Sequence, residues 1–303
     1  MGNDEGALAS APIAIAGASG FIGRHVTAAL RSAGYAVRLL GRTNQPNGTV
    51  AVDVSKPSSV ARALEGCQGA LWCVSYLGRD EGQQTAINTL GARNFARASV
   101  SVGANRLVSI STAAVYGAGP HSGADPRVLT PRPQTPRSRS RLAGDAFILD
   151  AGGLVLRPNF LYGAGDRWFL PALASLPPGV FSEGEESARI SAISVLDFAA
   201  VVALFATRTS TSKQTSYVVA APQPLLLRDL LQVTAQLAGR GPKAPQETRS
   251  LSRHERDLVS SDNWFDVRPL WDEIGLRAPW AGLQLSAHDL AWYRAHLSKD
   301  VGD

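Results

Sequence analysis

The sequence is poor in sulfur. Across 303 residues it holds one methionine and two cysteines, Cys67 and Cys73. Two thiols cannot staple a fold of this length, and without His pairs at ligand spacing they do not make a zinc site, so no metal is expected. Runs of about 18 apolar residues are missing, which argues against a membrane span. Repeats and low-complexity tracts are missing too. With 45% hydrophobic and 18% charged residues, a disordered or fibrous chain is excluded. Asp4 and Glu5 stand where a secretory leader would need positive charge, so the N-terminus reads as a loose tail of a cytoplasmic protein.

Lysine is also scarce. Lys56, Lys213, Lys243 and Lys299 are the only four, so arginine makes up nearly all of the 30 basic residues behind a net charge of +5. The excess is local: Arg127, Arg132, Arg137, Arg139 and Arg141 lie within 18 residues that hold one acid, Asp125. Basic clusters can grip a phosphate backbone. This one lacks interleaved aromatics, and nucleic acid is not expected as a partner.

The first half alternates strand and helix signals. Apolar runs at 11–16, 36–40, 49–52, 70–74, 106–110 and 153–156 read as buried parallel strands. Helical spacing lies between them: Ile22, Val26, Leu30 and Ala33 form a stripe stopped by Gly34, and further helices are expected at 58–65 and 83–102. Such alternation implies right-handed βαβ units. The second half is broken by Pro/Gly-rich segments at 171–178, 222–224 and 239–245, with one strand at 216–221 and a helix at 227–237. The expected fold is α/β, a Rossmann-like doubly wound parallel sheet with a small C-terminal substrate lobe. Residues 11–158 plus 192–222 would bind the dinucleotide, and 159–191 plus 223–303 would form the lobe.

Directly after the first strand comes Gly17-Ala18-Ser19-Gly20-Phe21-Ile22-Gly23. Glycines here permit a tight turn and a close backbone approach to a pyrophosphate, with the helix N-terminus supplying N–H groups and partial positive charge. A strand before and a helix after are the context this motif requires. The second strand then bears on the nucleotide. An NAD-preferring site usually places an acid there for the ribose 2′-hydroxyl; here the strand ends Gly41-Arg42, and Arg24 follows the third glycine. Two guanidinium groups suit a 2′-phosphate, so NADPH is the expected cofactor.

Several further motifs follow in order: Asp53-Val54; Asn88-x-x-Gly91-x-x-Asn94; Ser111-Thr112-Ala113-Ala114-Val115-Tyr116-Gly117; Leu156-Arg157-Pro158-x-x-x-Tyr162-Gly163-x-Gly165; and Ile193-Ser194-Val195-Leu196-Asp197-Phe198-Ala199. Together they resemble the extended short-chain dehydrogenase/reductase family of NAD-dependent epimerases and dehydratases, over residues 12–220 and more faintly to about 285. The resemblance implies that Gly17, Ser19, Gly20, Phe21, Ile22 and Gly23 hold the cofactor with Arg24, Arg42, Asp53, Val54, Val74, Arg141, Pro158, Asn159 and Phe160. It places Ser75, Tyr76, Tyr116, His121 and Trp168 toward the substrate, with Asp125 on the His121 loop.

In that family a Ser or Thr polarises the substrate carbonyl, a Tyr moves the proton, and a Lys four residues later lowers the Tyr pKa. Thr112 matches the first. The stretch resembling Pro-Tyr-Gly-x-Ser-Lys-Leu-x-Gly-Glu reads Pro136-Arg137-Ser138-Arg139-Ser140-Arg141-Leu142-Ala143-Gly144-Asp145. Arg137 and Arg141 thus stand at the Tyr and Lys positions. A guanidinium is not deprotonated in proteins near neutral pH, so Arg137 is no general acid. The pattern is similar to atypical ketoreductases of angucycline-type antibiotic pathways, whose peri-hydroxy ketones are polarised by their own internal hydrogen bond. The expected activity is therefore NADPH-dependent reduction of an aromatic polyketide-like ketone by a monomer or homodimer. The alternative is a non-catalytic NAD(P)-binding sensor. Trp168, Trp264, Trp271, Trp280 and Trp292 in the second half suit either a flat ring-binding pocket or ordinary helix packing. His25, His254, His288 and His296 read as surface or satisfied residues.

Overall fold

The computed structural model describes residues 11–176, 187–208, 215–239, 261–279 and 282–297. The N-terminal tail, Lys213, Lys243, His254, Trp280, Lys299 and parts of the 171–178 and 239–245 segments lie outside these residues.

The expected doubly wound α/β sheet is present. β1 (Ile13–Ala16) leads into α1 (Phe21–Ser32), β2 (Val37–Gly41) and β3 (Val50–Ala51). Then come α2 (Pro57–Leu64), β4 (Gly69–Trp72), a short α3 (Glu81–Gln84), a π-helical stretch (Thr85–Gly91) and α4 (Ala92–Ser101). β5 (Arg106–Ile110), β6 (His121–Ala124), α5 (Pro136–Asp150) and β7 (Leu154–Pro158) follow. β8 (Phe160–Tyr162), α6 (Phe169–Ala174), β9 (Arg189–Ile190), β10 (Ala192–Ser194), α7 (Val195–Thr207) and β11 (Ser216–Val219) continue the chain. β12 (Leu225–Leu226), α8 (Leu227–Leu237), β13 (Asn263–Phe265), α9 (Arg268–Ile274) and α10 (Ala287–Leu297) complete it.

The chain divides into two compact units. Unit 1 contains residues up to Gly117, Thr130–Pro158 and Leu196–Val218. Its core is a seven-stranded sheet in the order β11-β7-β5-β4-β1-β2-β3. β1 pairs in parallel with β2 on one side and β4 on the other, so the strand order reverses at β1. Every residue of β1 and β4 is buried. This is why both read as continuous apolar runs rather than alternating ones. Trp72 and Phe95 meet at 5.2 Å in the layer beneath.

Unit 2 contains Ala118–Leu129, Asn159–Val195 and Val219 onward. A four-stranded sheet, β12-β9-β13-β6, and a parallel β8/β10 pair build it. Strands of two to four residues carry too little periodicity for sequence detection, and only the helix at 227–237 was expected.

A polar clamp fixes the loop after β8. The Asp166 carboxylate accepts backbone N–H bonds from Trp168, Phe169 and Leu170, and Tyr293 Oη donates to it at 2.9 Å. The same hydroxyl accepts from the Gly163 amide, while Asp289 accepts from Ala164 and from the Ser286 amide and hydroxyl. Burial pushes both Asp166 and Tyr293 upward. Replacing Tyr293 by Phe strands the Gly163 amide and leaves the Asp166 oxygen with the Leu170 amide alone, so the expected loss is about 1–3 kcal/mol. Urea unfolding of Tyr293→Phe followed by tryptophan fluorescence checks it; a loss below about 0.5 kcal/mol would contradict the clamp.

Candidate functional site

In unit 1 the glycine loop is a cradle that larger residues would fill. Gly17 has φ +78°, and a Cβ there would stand 2.9 Å from the Cys73 carbonyl oxygen. A Cβ on Gly23 would fall 2.2 Å from the Gly17 carbonyl oxygen. The first turn of α1 is capped by Gly20, with no side-chain cap on its N–H groups. Backbone donors, a helix N-terminus and clearance together fit a dinucleotide pyrophosphate. Ser19 is exposed, while Phe21 and Ile22 are half-buried where the helix opens.

Around this loop, the Arg24 guanidinium lies 5.7 Å from the Phe21 ring centroid, and Arg42 is exposed just past β2. Asp53 accepts from the Ser55 amide and hydroxyl and pairs with Lys56 at 3.3 Å. Those Ser55 bonds hold its carboxyl below the usual range. Asn94 donates to the Val54 and Ser55 carbonyls and so fixes the turn.

Beyond β4, Val74 packs against the core, and Ser75 Oγ is buried with no hydrogen-bond partner among the described residues. That orphan hydroxyl is a second observation that fits a polar ligand near the strand ends. Tyr76 folds back over Gly78, whose Cβ would collide with the phenol oxygen at 2.4 Å. Asn88, in the π-helical stretch, accepts from the Tyr76 amide and donates to Ser140 Oγ. At Gly144 a Cβ would meet the Asn88 carbonyl oxygen at 2.3 Å, so α5 seats directly on this stretch. π-turns often mark functional sites.

The arginine-rich stretch does not act as one patch. Arg127 is in unit 2, bonded to Asp125 at 2.7 Å. Arg137 donates to the Leu77 carbonyl and Arg139 to that of Gln134. Arg141 is driven inward and donates to the Ile110 carbonyl at the end of β5. Burial pushes its guanidinium pKa down, against the pull of Asp145. Thr112, two residues beyond Ile110, accepts from the Ala114 amide at 3.1 Å. As an acceptor in that bond, its hydroxyl keeps its own proton to donate.

Tyr116 is buried, and its hydroxyl accepts from Arg157 at 2.8 Å. Arg157 also meets Asp145 at 3.2 Å, and Ser111 Oγ donates to the same carboxylate oxygen at 2.8 Å. Burial pushes the Asp145 carboxyl up, with Arg157, Arg141 and Ser111 opposing it. Sequence reasoning passed over this network. The signal was Arg157 itself, a charge inside an apolar strand, which requires a partner.

In unit 2, Asn159 Nδ2 donates to the Asn263 backbone and side-chain oxygens at 3.1 and 3.4 Å. Phe160, half-buried, stacks on Phe169 at 4.6 Å. Pro158 is buried at the end of β7 in unit 1. His121 is buried on β6 beside Phe265 at 5.0 Å. Trp168 is 64% exposed where α6 begins. No group of three or more His, Cys, Asp or Glu side chains able to hold a metal occurs among the described residues, and no helix there is long and apolar enough to cross a membrane.

The NAD dependent epimerase/dehydratase family matches residues 13–220, more than half of the chain. The chain belongs to that family. Among similar proteins, the dTDP-4-dehydrorhamnose reductase of Streptomyces griseus is 31% identical over 174 residues, 54% of this chain and 54% of the relative. The 4-hydroxy-2-methyl-3-oxo-4-farnesyl-3,4-dihydroquinoline-1-oxide ketoreductase of Stigmatella aurantiaca is 26% identical over 52% of this chain and 53% of its own. The chain thus spans about half the length of the curated relatives it matches. Solved structures share the fold. Bordetella bronchiseptica WbmG, in complex with NAD and UDP, superposes with TM-score 0.75 at 19% identity, covering 94% of this chain and 96% of that one. The family match and the shared architecture together support a Rossmann-like α/β fold of the NAD(P)-binding type.

The buried chemistry of unit 1 can be tested at two points. Asp145→Ala leaves the Arg157 charge buried and unpaired, which costs about 3–5 kcal/mol; chemical denaturation measures it, and a loss under about 1 kcal/mol would contradict the pairing. Burial also pushes the Cys73 thiol up to about 12 and raises Cys67. At pH 8 both therefore stay protonated, and iodoacetamide labels neither cysteine until urea unfolds the chain, as read by intact mass.

Proposed function

We propose that this chain is an NADPH-dependent ketoreductase acting on a ketone of an aromatic, angucyclinone-like polyketide. The observation that carries the reading is the pair Arg137 and Arg141. Both hold backbone carbonyls within a frame that otherwise keeps a cofactor cradle and Thr112. The similarity to a dihydroquinoline-1-oxide ketoreductase supports the reaction class.

NADPH, when bound, supplies the hydride for carbonyl reduction. Gly17, Gly20 and Gly23 would hold its pyrophosphate against α1, with Arg24 and Arg42 serving the 2′-phosphate. Arg141, positioned by Ile110 and Asp145, would fix the ribose end without supplying a proton. The Thr112 hydroxyl orients the carbonyl by donating to its oxygen. Arg137 ties the loop after β4 to α5. The proton reaches the product oxygen from water, or from the substrate's own peri-hydroxyl group. A ketone already polarised internally makes that arrangement sufficient.

The test is NADPH oxidation across peri-hydroxy ketones and quinones. Turnover with kcat/KM for NADPH at least tenfold above NADH is expected, and Arg42→Ala should erase most of that preference while leaving NADH unchanged. Thr112→Val should lower kcat by about 10²-fold, the usual cost of one lost oxyanion donor. Tight NADPH binding with no turnover on any ketone would instead favour a dinucleotide sensor. The two arginines, locked onto backbone carbonyls, are the observation on that side.

A further inference from the structure

Within unit 1, the loop between β2 and β3 closes in a turn whose residues are placed to react with one another. Gln45 and Thr49 form an antiparallel bridge. The Gln45 amide donates to the Thr49 carbonyl at 3.2 Å, and the Gly48 amide to the Gln45 carbonyl at 3.1 Å. Pro46 and Asn47 occupy the corners, and Gly48 takes φ +84°. The result is a hairpin in which a tight turn is followed by a left-handed residue, the conformation that calls for glycine. Asn47 and Gly48 are exposed, and a Cβ on Gly48 would meet nothing within 4 Å.

Thr49 is the buried member of the group. Its amide donates to Asn47 Oδ1 at 3.1 Å and its hydroxyl to the same oxygen at 2.6 Å. Two donors on one carboxamide oxygen make its carbon more electrophilic and are placed to stabilise an oxyanion there. The Gly48 amide nitrogen is the nucleophile next in the chain. Closing a ring onto Asn47 Cγ is an intramolecular step, and glycine adds no side chain to obstruct it.

We propose that Asn47 is a self-modifying site, at which the Gly48 amide displaces ammonia from the side chain and leaves a carboxylate on the loop that carries Arg42. Hydroxide takes the Gly48 N–H proton once its bond to Gln45 opens, and the nitrogen bonds to Asn47 Cγ. The Cγ–Nδ2 bond breaks, and Nδ2 leaves as ammonia with a proton from water. Water then opens the succinimide, at Cγ to give aspartate or at the main-chain carbonyl to give isoaspartate. No group is oxidised or reduced.

Either product replaces a neutral side chain by an anion, and isoaspartate also lengthens the turn against the Gln45–Thr49 bridge. Arg42 is exposed at the start of the same loop. The modification stands independently of the cofactor, whereas its consequence rests on the reading of Arg42 as a 2′-phosphate contact. A carboxylate on that loop opposes the 2′-phosphate of NADPH and is indifferent to NADH, which lacks it.

The test holds the full chain at pH 7, 8 and 9 and follows the tryptic peptide 43–62 by mass spectrometry. Asn47 should become about 1 Da heavier, with isoaspartate detected, while Asn44 in the same peptide stays unchanged. The rate should rise about tenfold per pH unit, as attack by a deprotonated amide requires. Gly48→Ala should slow it tenfold or more. Thr49→Val, which keeps the buried shape and removes the hydroxyl donor, should slow it threefold or more. Asn47→Asp, the product made directly, should weaken NADPH binding threefold or more and leave NADH within twofold; Asn47→Gln held under the same conditions should keep its NADPH affinity. A folded chain in which Asn47 stays intact while the urea-unfolded chain reacts overturns the site, as does a rate unaffected by Thr49→Val. Equal NADPH affinity in wild type and Asn47→Asp overturns the link to the cofactor. A wild type without preference for NADPH removes the reading of Arg42 alone, and the mass measurement still decides the site.

Discussion

The Asp145 carboxylate and the Arg157 guanidinium meet at 3.2 Å, with side-chain exposures of 4% and 5%. Desolvating two charges costs about as much as their attraction returns, so the value of such a pair lies less in net stability than in the geometry it permits. Asp145 is on α5 and Arg157 on β7, and Ser111 and Tyr116 bring in the segment that follows β5. A slip of α5 along its axis would break both Asp145 contacts, to Arg157 and to Ser111, together. The helix therefore has one depth at which it can sit, and Arg141, one turn before Asp145, is aimed at the β5 carbonyl end by that constraint.

The same helix is fixed from its other side by packing rather than charge. Gly144 lets α5 press against the Asn88 carbonyl, where a Cβ would leave only 2.3 Å. Ser140 then receives the Asn88 amide, and Thr89 donates to the Ser140 carbonyl. Asn88 in turn holds both backbone groups of Tyr76. The loop after β4 is thereby joined to the arginine-bearing helix through one buried carboxamide, beside the Arg137 bond to the Leu77 carbonyl. Ion pair and close approach act on opposite flanks of one element, which is how a loop-rich region becomes rigid enough to orient a ligand.

The sequence made the first of these layers readable and hid the second. Buried parallel strands such as Ile13–Ala16 have no polar face, and a glycine turn between such a strand and a helix suits little besides a phosphate, so unit 1 was legible from pattern alone. The frame around Arg137 and Arg141 was equally plain, but its consequence was not. Spacing shows which residues are replaced; it does not show that the replacements point at backbone carbonyls or that four of the five clustered arginines disperse among separate partners. Unit 2 was scarcely legible. Its strands run two to four residues, and β13 pairs with β6 across about 140 positions of sequence, a separation at which local periodicity carries no information.

Charge provides the last link between the two units' chemistry. In unit 1 the buried arginines are held by a carboxylate and carbonyls; in unit 2 each arginine beside β6 and β13 is held by its own aspartate. The net charge of +5 therefore does not gather into a free cationic surface at either place. What remains available in unit 1 is neutral and directional: the Thr112 hydroxyl, a donor. Neutral donors discriminate by the cost of leaving a buried polar group unpaired, not by long-range attraction. Recognition by a neutral donor depends little on ionic strength.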